Sequence, residues 1–321
     1  MALLNLRRSQ KKSAKSILIA GGTGFIGRSL AARAVELGYD VSVIGLHFLR
    51  SEQQIPGVSY LYSDIAKQDS LKASLIRKSF SYVVNLSGYV DHVPFREGGK
   101  YVVERYFLGL LNLLEVIDWN GLERFVQIGT GDEYGSSSSP LSENQAPQPK
   151  TCYSFCRSSS LDLLKTLSLS ENFPFIYLRL FLVYGPGQGE GRLVPAVFNG
   201  CFSKQPFPVS NGRQVRDFCY VDDVVDAILA ACIAPSRFDG EVYNVGSGTP
   251  VSVRQVIDEI VDLVGFGEPI FGGLLVRSTE PTSLYPDISK IQSNLGWYPK
   301  VNLSQGLNYT KKFFERKSLG K

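Results

Sequence analysis

Ser16-Ile17-Leu18-Ile19-Ala20 runs directly into Gly21-Gly22-Thr23-Gly24-Phe25-Ile26-Gly27. The first five residues read as a short apolar strand, and Ile26–Leu37, closed by Gly38, reads as a helix. Glycines at this spacing between strand and helix suit a bound phosphate. Gly21 allows a tight turn, Gly24 lets phosphate approach the backbone, and Gly27 lets helix and strand pack closely. A pyrophosphate placed there meets the free amides and the dipole of the helix N-terminus. The stretch thus predicts a dinucleotide held on Gly21, Thr23, Gly24, Phe25, Ile26 and Gly27.

Further apolar strands are expected at Val41–Ile44, Val58–Tyr62, Tyr82–Leu86, Phe125–Ile128, Phe175–Leu180 and Val242–Val245. Helical patterns at Tyr101–Trp119, Tyr153–Ser170, Val221–Cys232 and Ser252–Val264 alternate with them. This βαβ series predicts an α/β Rossmann fold, a doubly wound parallel sheet with a smaller C-terminal substrate-binding lobe. The expected division is a basic leader at 1–14, a dinucleotide-binding domain at 15–182 with 215–250 returning to it, and a lobe at 183–214 and 251–321. Pro140–Pro149, with three prolines and many polar residues, reads as a surface loop.

A chain of 321 residues with 44% hydrophobic and 20% charged residues has an ordinary globular composition. Its formal charge of +4 is raised by the leader, where Arg7, Arg8, Lys11, Lys12 and Lys15 meet no acid. The rest is nearly neutral, which argues against a nucleic-acid surface and makes arginines point contacts for a small anion. Cys152, Cys156, Cys201, Cys219 and Cys232 form no CxxC pair and, with two histidines, make a poor metal set. Scattered thiols fit a reducing compartment, here the cytoplasm, and no run is long enough to span a membrane.

The second strand bears on which dinucleotide is held. A site for NAD commonly ends this strand in an acid that holds the ribose hydroxyls. Here it ends Val43-Ile44-Gly45-Leu46-His47, followed by Arg50. No acid repels a 2′-phosphate, and His47 and Arg50 are placed to meet one, so NADP(H) is favoured with NAD(H) as the alternative. Asp64, beyond the third strand, is read as the acceptor for the adenine amine or as a helix cap.

Tyr153 and Arg157 stand four apart at the start of a helix and share a face, and Thr130 follows the Phe125–Ile128 strand toward the same cleft. Together they suit proton transfer at an alcohol or carbonyl oxygen beside a nicotinamide. Spacing alone leaves Tyr153 equally one structural tyrosine among 16.

From Lys15 to Phe314 the chain resembles the extended short-chain dehydrogenases/reductases, in the NAD-dependent epimerase/dehydratase group that acts on nucleotide-diphosphate sugars. The resemblance rests on Gly21–Gly27, Thr130 in TGDEYG, Tyr153–Arg157, Arg179-Leu180-Phe181, Tyr184-Gly185-Pro186, Arg216-Asp217-Phe218, Asn244-Val245-Gly246 and Leu295-Gly296-Trp297. It implies Thr130 as the catalytic Ser/Thr and Tyr153 as the catalytic tyrosine. Arg157 then falls where that family has lysine, and its larger planar head cannot reproduce a lysine's geometry. The resemblance also implies that Ile65, Leu86, Ser87 and Gly88 border the cofactor, and that Asp91, His92, Arg192, Arg216 and Arg277 border the substrate. Arg216 and Arg277 match arginines that contact the diphosphate. A homodimer through the helices at Tyr101–Trp119 and Tyr153–Ser170 is a further implication.

Dehydratases of the group follow the catalytic Thr with Asp-Glu, whereas Gly131, Asp132 and Glu133 follow Thr130. Loss of the first carboxylate disfavours dehydration. The absent acid at Gly45 favours NADPH and hence reduction. Gly88-Tyr89-Val90-Asp91-His92 and FLVYGPGQ look like reductases of CDP-linked 4-keto-6-deoxyhexoses. The expected reaction is 4-keto reduction without a metal. A 4-epimerase with tightly held NAD is the alternative, and a non-catalytic dinucleotide binder, on the strength of Arg157, is a second.

Overall fold

The computed structural model describes residues 14–88, 91–277 and 280–319. The leader, Tyr89–Val90 and Ser278–Thr279 lie outside the described residues. The N-terminal half alternates strand and helix: β1 Ser16–Ala20, α1 Phe25–Glu36, β2 Asp40–Gly45, β3 Val58–Tyr62, α2 Gln68–Leu75, β4 Tyr82–Asn85, α3 Gly99–Val116, β5 Arg124–Thr130, α4 Cys152–Glu171 and β6 Phe175–Leu180. There follow β7 Leu182–Tyr184, α5 Leu193–Ser203, β8 Pro206–Val209, β9 Val215–Tyr220, α6 Val221–Cys232, β10 Val242–Val245, β11 Pro250–Ser252, α7 Val253–Val264, β12 Glu268–Phe271, β13 Ser283–Leu284, α8 Ser289–Leu295 and α9 Leu303–Leu319.

Seven parallel strands form the main sheet in the order β10-β6-β5-β4-β1-β2-β3. A central parallel strand is covered on both faces, which is why β1 is apolar along its length. Ile17 and Ile19 face the core under α1 and α6, while Leu18 and Ala20 face the core under α2, α3 and α4. Strand order reverses between β1 and β4, and the crevice beyond their carboxyl ends is where ligands of such sheets bind. Side-chain caps set two helices that frame the site. Thr151 accepts from Ser154 N at 3.1 Å at the start of α4, and Ser252 accepts from Gln255 N at 3.1 Å at the start of α7.

The smaller lobe has its own core of Phe198, Val256, Ile257, Ile260 and Leu307, between α5, α7 and α9. Its geometry differs from the sequence expectation at two points. Val215–Tyr220 does not return to the main sheet: β9 pairs with β7, β11 and β13, and the return begins only at α6. Conversely α8, expected in the lobe, packs Ile291 into the core of the main sheet beside β10. The 140–149 loop is also less superficial than its prolines imply, since Leu141 is fully buried and Glu143 accepts from Asn244 N at 2.8 Å. No described helix is long and apolar enough to cross a membrane.

Candidate active site

A cleft of about 1270 Å³ opens between the carboxyl ends of the main sheet and the smaller lobe. One wall is the glycine turn, where Gly21, Thr23, Gly24, Phe25, Ile26 and Gly27 all contribute. Gly21 has φ +78°, and a Cβ there would stand 2.9 Å from the Leu86 carbonyl. A Cβ on Gly27 would stand 2.5 Å from Gly21 O and Gly22 Cα, which no rearrangement of side chains can relieve. Gly24 N closes the turn on Gly21 O at 3.0 Å, and no side chain caps α1. The first-turn amides therefore face the cleft unscreened, as a pyrophosphate requires. Leu86 and Gly88 form the adjoining rim. These residues fit a dinucleotide.

The expected adenosine contacts divide differently. Gly45 ends β2, and a Cβ there would lie 2.3 Å from the Thr23 methyl, so packing against Thr23 keeps this position bare. His47 and Arg50 lie outside the residues lining the cleft, and the exposed Arg50 guanidinium pairs with Glu52 at 3.2 Å. Asp64 and Ile65 also lie outside that lining. Asp64 accepts from Arg105 Nη2 at 2.5 Å and from Ala66 N at 3.1 Å, so one oxygen serves an ion pair and the other a local turn. Ile65 packs against Gly109, and its carbonyl accepts from Asn112 Nδ2 at 2.9 Å. Ser87 stays beneath the cleft and offers its carbonyl to Arg157 at 3.3 Å.

Thr130, at the end of β5, meets Tyr153 and Arg157 from the first turns of α4. The Thr130 and Arg157 side chains both stand close enough to Tyr153 to favour its ionised form. Tyr153 is only 4% exposed. Burial raises its pKa above the ordinary phenol value, with Arg157 opposing the rise. The guanidinium is itself buried and largely committed. Nη1 donates to Ile128 O at 2.6 Å, and Nη2 donates to Ser87 O at 3.3 Å and to Tyr106 Oη at 3.2 Å. Its carbon sits 4.6 Å from the Tyr106 ring and 5.6 Å from the Tyr153 ring. A lysine reaches one point; this arginine ties the loop after β4, strand β5 and helix α3 together around the tyrosine.

At the far end of the cleft stand Arg192, Arg216 and Arg277. Arg216 donates through Nη2 to Glu280 Oε1 at 2.8 Å and to Pro281 O at 2.8 Å. The other oxygen of Glu280 lies 3.7 Å from Arg277 Nη2. One carboxylate thus sits between two arginines.

A model of a protein family, the NAD dependent epimerase/dehydratase family, matches residues 17–246. The chain belongs to that family. It is accordingly an NAD(P)-dependent enzyme. Its similarity to a putative UDP-glucose 4-epimerase of Methanocaldococcus jannaschii is 28% identity over 299 residues, 91% of this chain and 95% of the relative. A dTDP-4-dehydro-6-deoxyglucose reductase of Escherichia coli is 24% identical over 312 residues, 91% of this chain and 95% of the relative. The crystal structure of UDP-glucose 4-epimerase with UDP-glucose from Thermotoga maritima superposes with a TM-score of 0.87 at 28% identity, covering 95% of this chain and 99% of that one.

This member of the epimerase/dehydratase family carries features that sequence reading did not find. Glu133 is fully buried: it accepts from Thr130 N at 2.8 Å, Tyr177 Oη at 2.8 Å and Arg179 Nε at 2.9 Å. It braces Thr130 from behind. Its signal was the arginine of the Arg179-Leu180-Phe181 motif, 46 residues away in the chain. Gly131 presses on Phe181, whose ring would lie 2.9 Å from a Cβ there. Asp132 faces the cleft instead, with Oδ2 3.7 Å from His92 Nε2. Asp91, expected at the sugar, lies outside the cleft lining and accepts from Val93 N at 3.0 Å within its own turn.

Proposed function

We propose that the enzyme reduces the 4-keto group of a nucleotide-diphosphate 4-keto-6-deoxyhexose, CDP-linked by preference, at the expense of NADPH. The observation that carries this reading is a tyrosine kept in its acid form beside a hydroxyl in a dinucleotide-sized cleft. A buried phenol stays protonated in the resting site and so has a proton ready for a developing alkoxide. Reduction of a ketone begins with that donation, whereas epimerisation needs the same tyrosine first to take a proton and then to return it.

The bound nicotinamide would supply hydride to C4. Tyr153 then gives its proton to the developing alkoxide, and Thr130 donates a hydrogen bond to the same oxygen. Arg157 holds Tyr153 in place and offers charge to the nearby ribose. Arg192, Arg216 and Arg277 receive the diphosphate, whose two negative charges compete with Glu280 for the guanidinium groups. Anchoring at the diphosphate aligns a reacting carbon some distance away. Dehydration is disfavoured because Phe181 leaves no room for an acid at position 131.

The exposed apolar residues Tyr101, Leu108, Leu111 and Phe155 on α3 and α4 support a homodimer through these helices. The five free cysteines suit a reducing compartment, which we take to be the cytoplasm. Assay of CDP-, dTDP-, UDP- and GDP-linked 4-keto sugars with NADPH, with product configuration read by NMR, tests the reading. A second reading, 4-epimerisation with retained NAD, draws on the similarity to UDP-glucose 4-epimerases.

A further inference from the structure

Tyr153 can protonate one substrate oxygen per cycle only if another group restores its proton. Its buried neighbours are poor donors. The Arg157 guanidinium keeps its protons at any working pH, burial raises the pKa of the Tyr106 phenol, and a threonine hydroxyl does not titrate. His92 and Asp132 differ. The His92 ring stands edge-on to Tyr153 with 5.4 Å between centroids, and Nε2 lies 3.7 Å from Asp132 Oδ2. Its Nδ1 is buried and without a hydrogen-bond partner among the described residues. Both side chains line the cleft.

We propose that His92 and Asp132 form a proton relay that recharges Tyr153, and that binding of the substrate diphosphate loads it. The inference rests on the nucleotide-sugar reductase reading. In the first step the Tyr153 O–H bond breaks as the sugar O4–H bond forms, hydride having come from NADPH. In the second, an N–H bond of the His92 imidazolium breaks as the Tyr153 O–H bond re-forms. The neutral imidazole then takes a proton from water at the mouth of the cleft. No electrons move in these later steps, and each transfers one proton.

Loading follows from the charges around the pair. His92 is faced by Asp132 and Asp91 on the acidic side and by Arg192 and Arg277 on the basic side. Asp132 is faced by His92, Arg216, Arg277 and Glu280. Burial and the two arginines hold the imidazole below its ordinary pKa, while burial pushes the Asp132 carboxyl up. A diphosphate seated on Arg192 and Arg277 cancels the positive charges that disfavour imidazolium. Asp132 then prevails, and His92 takes up a proton.

The test is calorimetric binding of UDP-glucose to the full chain at pH 7 in two buffers of different ionisation enthalpy. The diphosphate of this probe has no proton to lose near neutrality, so any uptake belongs to the protein. The expected result is uptake approaching one proton per site, lost in His92→Gln and in Asp132→Asn. Binding without proton uptake overturns the relay. Failure of UDP-, CDP-, dTDP- and GDP-glucose alike to bind overturns the nucleotide-sugar reading, and the relay with it. In turnover, His92→Gln should lower kcat by about tenfold to a hundredfold and shift its pH profile, and it should also weaken substrate binding because the coupled proton uptake is lost. Adding Arg157→Lys, whose ammonium can release a proton, should restore part of the loss in kcat. An unaltered kcat and pH profile in His92→Gln contradicts the proposal even where binding is intact.

Discussion

At the glycine turn the cleft is lined by backbone, with Gly21 and Gly27 pressed against neighbouring main chain. At the far end it is lined by charges that already hold one another, Arg216 and Arg277 with Glu280 between them. The first end is rigid because sterics leave it no alternative conformation. The second is held by interactions that an anion can replace. Cofactor binding should therefore tolerate almost no substitution at the turn, whereas substrate binding should be adjustable in both directions.

The largest expected effect lies at the rigid end. Gly27→Val places side-chain atoms inside the Gly21–Gly22 backbone, and should destabilise the fold by more than about 4 kcal/mol and abolish NADPH binding. Thermal denaturation together with a cofactor titration checks both; a folded variant that still binds NADPH would break the comparison. Next, Tyr153→Phe should lower kcat by about 10² to 10⁴-fold with NADPH affinity nearly unchanged, since it removes a proton donor and little packing. Single-turnover kinetics beside a binding isotherm separates the two.

At the adjustable end, Glu280→Gln should tighten nucleotide-sugar binding by about tenfold, the scale of a hydrogen bond to a charged group. The ligand-free variant should melt earlier, because Arg216 loses its carboxylate, and ligand should recover that loss. Weaker binding would mean that Glu280 belongs to the ligand's own contacts. The smallest effect concerns the cofactor's 2′-phosphate. His47 and Arg50 are solvent-exposed, so NADPH should bind more tightly than NADH by only about 0.5–1 kcal/mol, roughly two- to fivefold, and less at high salt. Parallel titrations decide it, and an NADH preference would remove one support for reduction.

The same division governs what was legible from residues alone. The β1 span was read to the residue because a buried parallel strand shows as a nearly unbroken apolar run. β9 was misplaced because it buries Arg216 and Asp217 within the strand, and their charges disguise the pattern. The glycine turn was legible since its demands are local, set within seven residues. Arg157 could be recognised as the family's departure, but not its ties to Ile128, Ser87 and Tyr106, which come from a strand, a loop and a helix brought together by the fold. His47 and Arg50 carried suitable charge, but no pattern in the chain shows that they stand outside the cleft. Glu133 was seen only as one of the residues after Thr130, and its pairing with Arg179, 46 residues on, is made by the fold.

The central claim is that Tyr153 serves as an acid toward a ketone. Mixing the enzyme with NADPH and a CDP-linked 4-keto-6-deoxyhexose, and following reduced nicotinamide together with the sugar by NMR, tests it most directly. The expected result is one NADPH oxidised per 4-hydroxy sugar formed. Unchanged NADPH with every nucleotide-linked keto sugar, alongside interconversion of 4-hydroxy epimers without added reductant, would contradict the account and establish the epimerase in its place.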